Sequence, residues 1–160
     1  ERVFRSYGFD SVYLQPIEVP HWERGTKEAC WVFDESGDLY PVRLTALGGS
    51  VGTGGLLSGE LVYAEDMEAL KAMDAAQVEG KVVFVNEGFD QSFLNTFQSY
   101  SACWSMRGYG AVEAASRGAK AILIRSLASH LDPFPHTGSM YYSDTVSRIP
   151  AAAKAWSAAR

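Results

Sequence analysis

Three stretches of the sequence carry residue types able to do chemistry. His130-Leu-Asp132 places an imidazole and a carboxylate one residue apart. At a strand end that spacing can offer two ligands to one zinc ion, yet a catalytic zinc also needs a third protein ligand and a general base. The residues after Asp132 include His136 and Asp144 but no Glu. An enzyme built on His130, Asp132 and His136 is the reading to test against metal content and aminopeptide hydrolysis. The expectation is instead that His130 and Asp132 are surface-loop residues ahead of Pro133, with no metal ligand and no catalytic residue in the chain. The second stretch, Gly48-Gly-Ser-Val-Gly-Thr-Gly-Gly55, is the most glycine-dense. A phosphate loop would require Lys and Ser/Thr after the last glycine, where Leu56 and Leu57 stand, and Leu57 also occupies the third-glycine place of a dinucleotide loop. The stretch therefore reads as a flexible connection between strands. The third is Pro135-His-Thr-Gly138, followed by Met140, Tyr141 and Tyr142. His136, Thr137 and Gly138 form a polar tip beside aromatic surface, a combination suited to binding, and the rival reading packs those aromatics back on the domain.

Other nucleophile patterns are missing. There is no Gly-x-Ser-x-Gly elbow and no His-Glu-x-x-His. Cys30 and Cys103 are expected to be small apolar fillers, although pairing in an oxidising compartment and a lowered pKa for Cys103 near a helix start stay open. His21 beside Trp22 reads as a packed or rim residue.

The surrounding pattern says what must hold these residues. Val3, Phe4 and Tyr7 have helical spacing and Gly8 stops that helix. Residues 11–19 read as an edge strand, limited by Pro16. Residues 29–34 and 40–47 flank the turn Glu35-Ser-Gly-Asp38 as a hairpin. A short strand over 59–64 precedes a helix over 65–73. The unbroken apolar runs of 81–86 and 119–124 predict strands buried on both faces. Between them the spacing predicts a helix over 105–117, its start shifted if Gly108 or Gly110 breaks it, with Tyr109, Val112, Ala115 and Ala119 inward. Glu113 and Arg117 would be an ion pair on a solvated face. Strand, helix and strand make a parallel crossover, expected to be right-handed.

Length and composition bound the function. The chain has 160 residues and a formal net charge of −5, enough for one domain with its own core and no disulfide framework. Hydrophobic residues at 47% and charged residues at 21% exclude disorder and coiled coil. With no basic stripe, nucleic acid is not an expected partner. No apolar run reaches the ~20 residues of a membrane span.

Taken in order, the segments resemble a known family. Val19-Pro-His-Trp-Glu-Arg-Gly25, Leu47-Gly-Gly-Ser-Val-Gly-Thr53, Gly80-Lys-Val-Val83, Gly110-Ala-Val-Glu-Ala-Ala115, Leu123-Ile-Arg-Ser126, Pro135-His-Thr-Gly138 and Ile149-Pro-Ala-Ala152 are collinear with the protease-associated domain of zinc exopeptidases of the carboxypeptidase Q type. Each motif is weak alone, and the shared order gives the resemblance its weight. It implies an α/β fold: an open β-barrel or packed sheets with flanking helices and one parallel βαβ crossover. It also implies that residues 1–20 lead in from a peptidase domain, that 21–153 form the inserted domain, and that 154–160 are a tail departing from the family pattern. The family's two zinc ions and catalytic glutamates belong to the parent peptidase, so no cofactor is carried over to this chain. The implied role is a lid or wall beside the cleft, with His136, Thr137 and Gly138 at the substrate rim. The implied partners are the rest of the peptidase, small peptides and a homodimer mate, in a periplasmic or secreted setting. The alternative is a stand-alone protein- or peptide-binding module.

Overall fold

The computed structural model describes residues 1–129 and 133–155. A short helix α1 (Arg2–Ser6) opens the chain and buries none of its residues. Gly8 follows at φ +79°, the stop expected of it. Residues 11–20 form no strand, contrary to expectation. Alternating side chains make a strand only where a neighbouring backbone takes up the N–H and C=O groups, and no described strand runs beside this stretch.

The expected hairpin is present as β1 (Trp31–Phe33) and β2 (Leu39–Pro41), antiparallel. Its turn is built by Asp34, whose carboxylate accepts from the N–H groups of Ser36 at 2.9 Å and Asp38 at 3.0 Å. The hydrogen bond from the Ser36 hydroxyl is the main cause holding the Asp34 carboxyl below its ordinary range. The hairpin's second arm does not run on to residue 47, because the chain leaves this ribbon after Pro41 and enters the main sheet as β3 (Leu44–Ala46).

The main sheet has five strands in the order β3-β7-β6-β5-β4, with β4 at Leu61–Ala64, β5 at Val82–Val85, β6 at Ala121–Arg125 and β7 at Ala151–Lys154. Only β3 is antiparallel to its neighbour, β7. The β3 and β4 edges are not joined, so the sheet is open and the barrel expectation gives way to a mixed α/β layer. Helices α2 (Met67–Ala72) and α4 (Thr96–Ser116) pack against the strands, supplying the cover that closure would have given. Parallel pairing also occurs three times rather than once. The β4–β5 link carries α2 and α3 (Ala75–Val78), the β5–β6 link carries α4, and the β6–β7 link has no helix among the described residues.

Helix α4 begins nine residues before the predicted start, with Asn95 capping it through a 2.9 Å bond from the Phe97 N–H. Neither Gly108 nor Gly110 breaks it. A Cβ on Gly110 would sit 3.0 Å from Ile122 Cδ1 of β6, and one on Gly108 would meet the Trp104 ring at 2.6 Å. Gly110 lets the helix lie close on the sheet and Gly108 leaves room for the Trp104 ring of its own helix, and packing outweighs the ~1 kcal/mol of lost propensity per residue. The buried face is Cys103, Met106, Gly110, Ala111 and Ala114, a rotation away from the predicted one, so Tyr109 stands half exposed. The Glu113–Arg117 pair exists but is not on a solvated face. Arg117 also donates to Met73 O at 3.0 Å and Lys71 O at 2.6 Å, tying the end of α4 to α2. Val83, Val85, Ile122 and Ile124, all at 0% exposure, bury one face of the two strands read from the apolar runs, whereas Val82, Phe84 and Leu123 on the other face are half-buried, short of the burial on both faces expected of them.

The end of α4 depends on one backbone conformation. Gly118 at φ +80° donates to Ala115 O at 2.9 Å and Ala119 donates to Ala114 O at 3.1 Å, the paired bonds of a Schellman cap. A Cβ on Gly118 would also lie 3.1 Å from Glu79 Cγ. Gly118→Ala is expected to cost about 1–2 kcal/mol and to lower Tm by about 2–8 °C. Gly25→Ala, with open space around it, should stay within about 0.5 kcal/mol. Thermal unfolding of the two variants checks the difference.

Candidate functional site

In a parallel sheet, ligands sit beyond the carboxyl ends of the strands. Such a cleft, about 260 Å³ in volume, lies here. Phe89 comes from the segment after β5, and Leu127, Ala128 and Ser129 follow β6. Thr96, Phe97 and Tyr100 come from the first turns of α4, and His136 closes the rim. Tyr100 stacks on Phe97 at 5.6 Å between centroids and meets Phe89 edge-on at 6.4 Å, so one wall is a continuous aromatic surface.

His136 reaches the cleft through a chain of backbone anchors. Its N–H donates to Ser126 Oγ at 2.9 Å, and the Ser126 hydroxyl donates to Lys154 O at 2.8 Å. Thr137 Oγ1 donates to Ala46 O at 2.9 Å, and Gly138 O accepts from Gly48 N at 2.9 Å. Gly48 and Ser139 form a parallel bridge, while Trp22 Nε1 donates to Ser50 O at 2.9 Å. The first half of the glycine stretch is thus a fixed support for the Pro135–Gly138 loop rather than a flexible connection. Of the three rim residues read from sequence, His136 lines the cleft, whereas Thr137 and Gly138 hold the loop beside it. Tyr142 is drawn inward, its hydroxyl bonding Ile149 O at 2.5 Å and receiving the Val51 N–H at 3.0 Å. Tyr141 stays half exposed against Trp104 and Tyr109.

Phe89, Phe97 and Tyr100 were not legible as site residues, because the predicted helix began after them. The signal that could have found them is topological: all follow β5 or begin the helix that crosses to β6.

Cys103 lies in the middle of α4, not near its start, so no helix-end field activates it. Its thiol donates to Gly88 O at 3.2 Å, and burial, aided by the Glu87 charge, pushes it up to about 11. Both cysteines are free. His21 pairs with Glu23 at 2.9 Å on exposed surface. His130 and Asp132 lie outside the described residues. Among the described residues no group of three or more His, Cys, Asp or Glu could hold a metal ion, so they do not fit a zinc centre. No helix among them is long and apolar enough to cross a membrane.

This open α/β sheet is found within larger peptidases. A peptidase M28 precursor from Shewanella amazonensis SB2B superposes at TM-score 0.82 with 35% identity, over 96% of this chain and 34% of that one. An aminopeptidase from Aneurinibacillus sp. strain AM-1, 18% identical, shares the fold at TM-score 0.59 over 96% of this chain and 30% of its own. No protein-family model matches the chain. In sequence, carboxypeptidase Q of Homo sapiens is 36% identical over 146 residues, 91% of this chain, and that of Xenopus laevis is 38% identical over 89% of it. The chain is thus a segment of the carboxypeptidase Q-like M28 peptidase kind, spanning 28% of the length of those curated relatives.

Glu87, just after β5, is a half-buried carboxyl whose contribution to stability depends on pH. Its Oε2 has no partner, and burial holds its carboxyl above the ordinary carboxylate range despite the Met67 backbone bond. A raised folded value means the folded protein binds this proton more tightly. The contribution is full below the unfolded pKa and is lost as pH rises through the folded one. Glu87→Gln should therefore raise Tm at pH 7 and lose that advantage at pH 3–4, as followed by thermal unfolding at both values.

Proposed function

We propose that residues 21–153 are a non-catalytic protease-associated domain inserted in a secreted, zinc-dependent exopeptidase acting on small peptides. The domain forms a lid or wall of that enzyme's substrate cleft. The carrying observation is the 0.82 superposition of nearly the whole chain on one third of a peptidase, combined with a described surface that offers no metal ligand cluster. The lead-in residues add support. Phe4, Tyr7, Phe9, Tyr13, Leu14 and Ile17 are each more than half exposed, an apolar surface of the kind another part of a larger protein covers.

Zinc held by the remainder of such an enzyme would polarise the peptide carbonyl and lower the pKa of bound water. The chain's own contribution is positional. The anchored His136 rim and the aromatic wall narrow the space a substrate can enter and keep bulk water from it, as closing elements do. The secreted setting and a homodimer contact belong to the same proposal, as what the family resemblance of the sequence motifs implies.

The test uses the full-length protein with dipeptide substrates. His136→Ala should raise KM about 2- to 10-fold, the loss of one modest polar contact, while kcat and bound zinc stay as in the parent. Unchanged KM across several dipeptides would remove this loop from the cleft. Coordinate loss of zinc would move His136 into the metal centre instead.

A further inference from the structure

Helices α2 and α4 cover one side of the main sheet, the side that carries Val83, Val85, Ile122 and Ile124. Helix α3 sends Val78 into that same core, and α1 buries nothing. The opposite side is left without a helix among the described residues. Strand alternation and register place Tyr63, Phe84, Leu123 and Ala152 there in one row, with Leu61 and Val82 alongside. Leu61 and Tyr63 are 43% and 54% exposed, and the Tyr63 ring meets Phe84 edge-on at 6.2 Å. Parallel strands such as β4–β7 normally carry helices on both faces, so this apolar row is one half of a second core.

The same face holds a cation with no counter-charge. Lys154 stands in register with Arg125, and its Nζ lies 5.7 Å from the Phe84 ring centroid. It donates to Ala155 O at 3.3 Å, and among the described residues no carboxylate pairs with it. Lys71 and Lys81 show the contrast, each bonded to a glutamate, at 2.6 and 3.0 Å. Burial and the Arg125 charge hold the Lys154 ammonium below its ordinary range. A half-buried ammonium beside a second cation is costly to keep unless an anion joins it.

We propose that this face is the docking surface for an amphipathic helix from the part of the protein outside these 160 residues, with an Asp or Glu of that helix on Lys154. Aliphatic side chains of the helix lie on Leu61, Tyr63, Phe84 and Leu123. Its carboxylate accepts from Lys154 Nζ near the carboxyl ends of β6 and β7. Two observations choose this occupant. The chain spans 28% of the length of its curated relatives, so in such a protein the same polypeptide can supply the cover. A second copy meeting this face symmetrically would bring Lys154 and Arg125 again, like charges in place of the missing anion. The assignment rests on the chain being a segment of a larger peptidase and not on the His136 rim.

A benzophenone amino acid in place of Tyr63 in the full-length protein tests it. The same amino acid in place of Leu56, which is 93% exposed, is the solvent control. After irradiation the crosslink from position 63 should be intramolecular. It should map to a helix outside residues 1–160 that bears an Asp or Glu, and the control should give almost none. Lys154→Glu should cut the yield about tenfold, because like charges brought together in an interface repel, and Lys154→Arg should keep it. A covalent dimer from position 63 overturns the proposal in favour of a second copy. A yield no higher than the control overturns it in favour of open solvent, and this comparison needs no charge variant to fold. A yield that Lys154→Glu leaves unchanged removes the carboxylate and overturns it too. Dipeptide hydrolysis by the same samples separates the two readings. A crosslink without hydrolysis keeps the docking face and removes the peptidase reading, whereas hydrolysis without a crosslink removes the docking face alone.

Discussion

The close approach of α4 to β6 is the constraint on which the rest of the structure depends. Gly110 places helix backbone within side-chain contact of Ile122, and Ala111 and Ala114 continue the small-residue face. Burying Val83, Val85, Ile122 and Ile124 under that face supplies the main hydrophobic gain. The same docking sets the position of everything outside the core. The first turns of α4 carry Phe97 and Tyr100 to the carboxyl ends of the strands, its middle carries Arg107 under Gly138, and its end is fastened to α2 through Arg117.

Much of this was readable from local pattern. The two apolar runs became central strands and the Asp34–Asp38 turn became a hairpin. Pattern failed where tertiary packing overrode propensity. Ala151-Ala-Ala-Lys154 has no strand signature, since alanine is depleted in strands, yet it fills the slot between β3 and β6. Gly108 and Gly110 looked like breakers because their gain lies in contacts that propensity does not count, the Trp104 ring one turn back for Gly108 and Ile122 of β6 for Gly110. The alternation over residues 11–19 had no neighbour to pair with. Periodicity reports what a segment can bury and not which neighbour is there to receive it.

The site shows the same division. His136 could be singled out because Pro and Gly punctuate its loop. The aromatic wall could not, since its meaning comes from β5 and β6 lying side by side. Ser50 and Ser126 are a quieter example: both are buried, and each bridges strand β7 to a loop, through Ala151 N at 2.9 Å and Lys154 O at 2.8 Å. They make the surface of the domain a consequence of its sheet, which a rigid wall of a cleft requires.

The central claim is that this chain shapes a cleft while the bond-breaking chemistry resides in another part of a larger protein. The most direct measurement is metal content and dipeptide turnover of the isolated 160-residue chain, purified and incubated with excess zinc. The account predicts less than stoichiometric zinc after dialysis and no hydrolysis above the uncatalysed rate. One tightly held zinc per chain, with turnover abolished by a chelator and restored by metal, would contradict it.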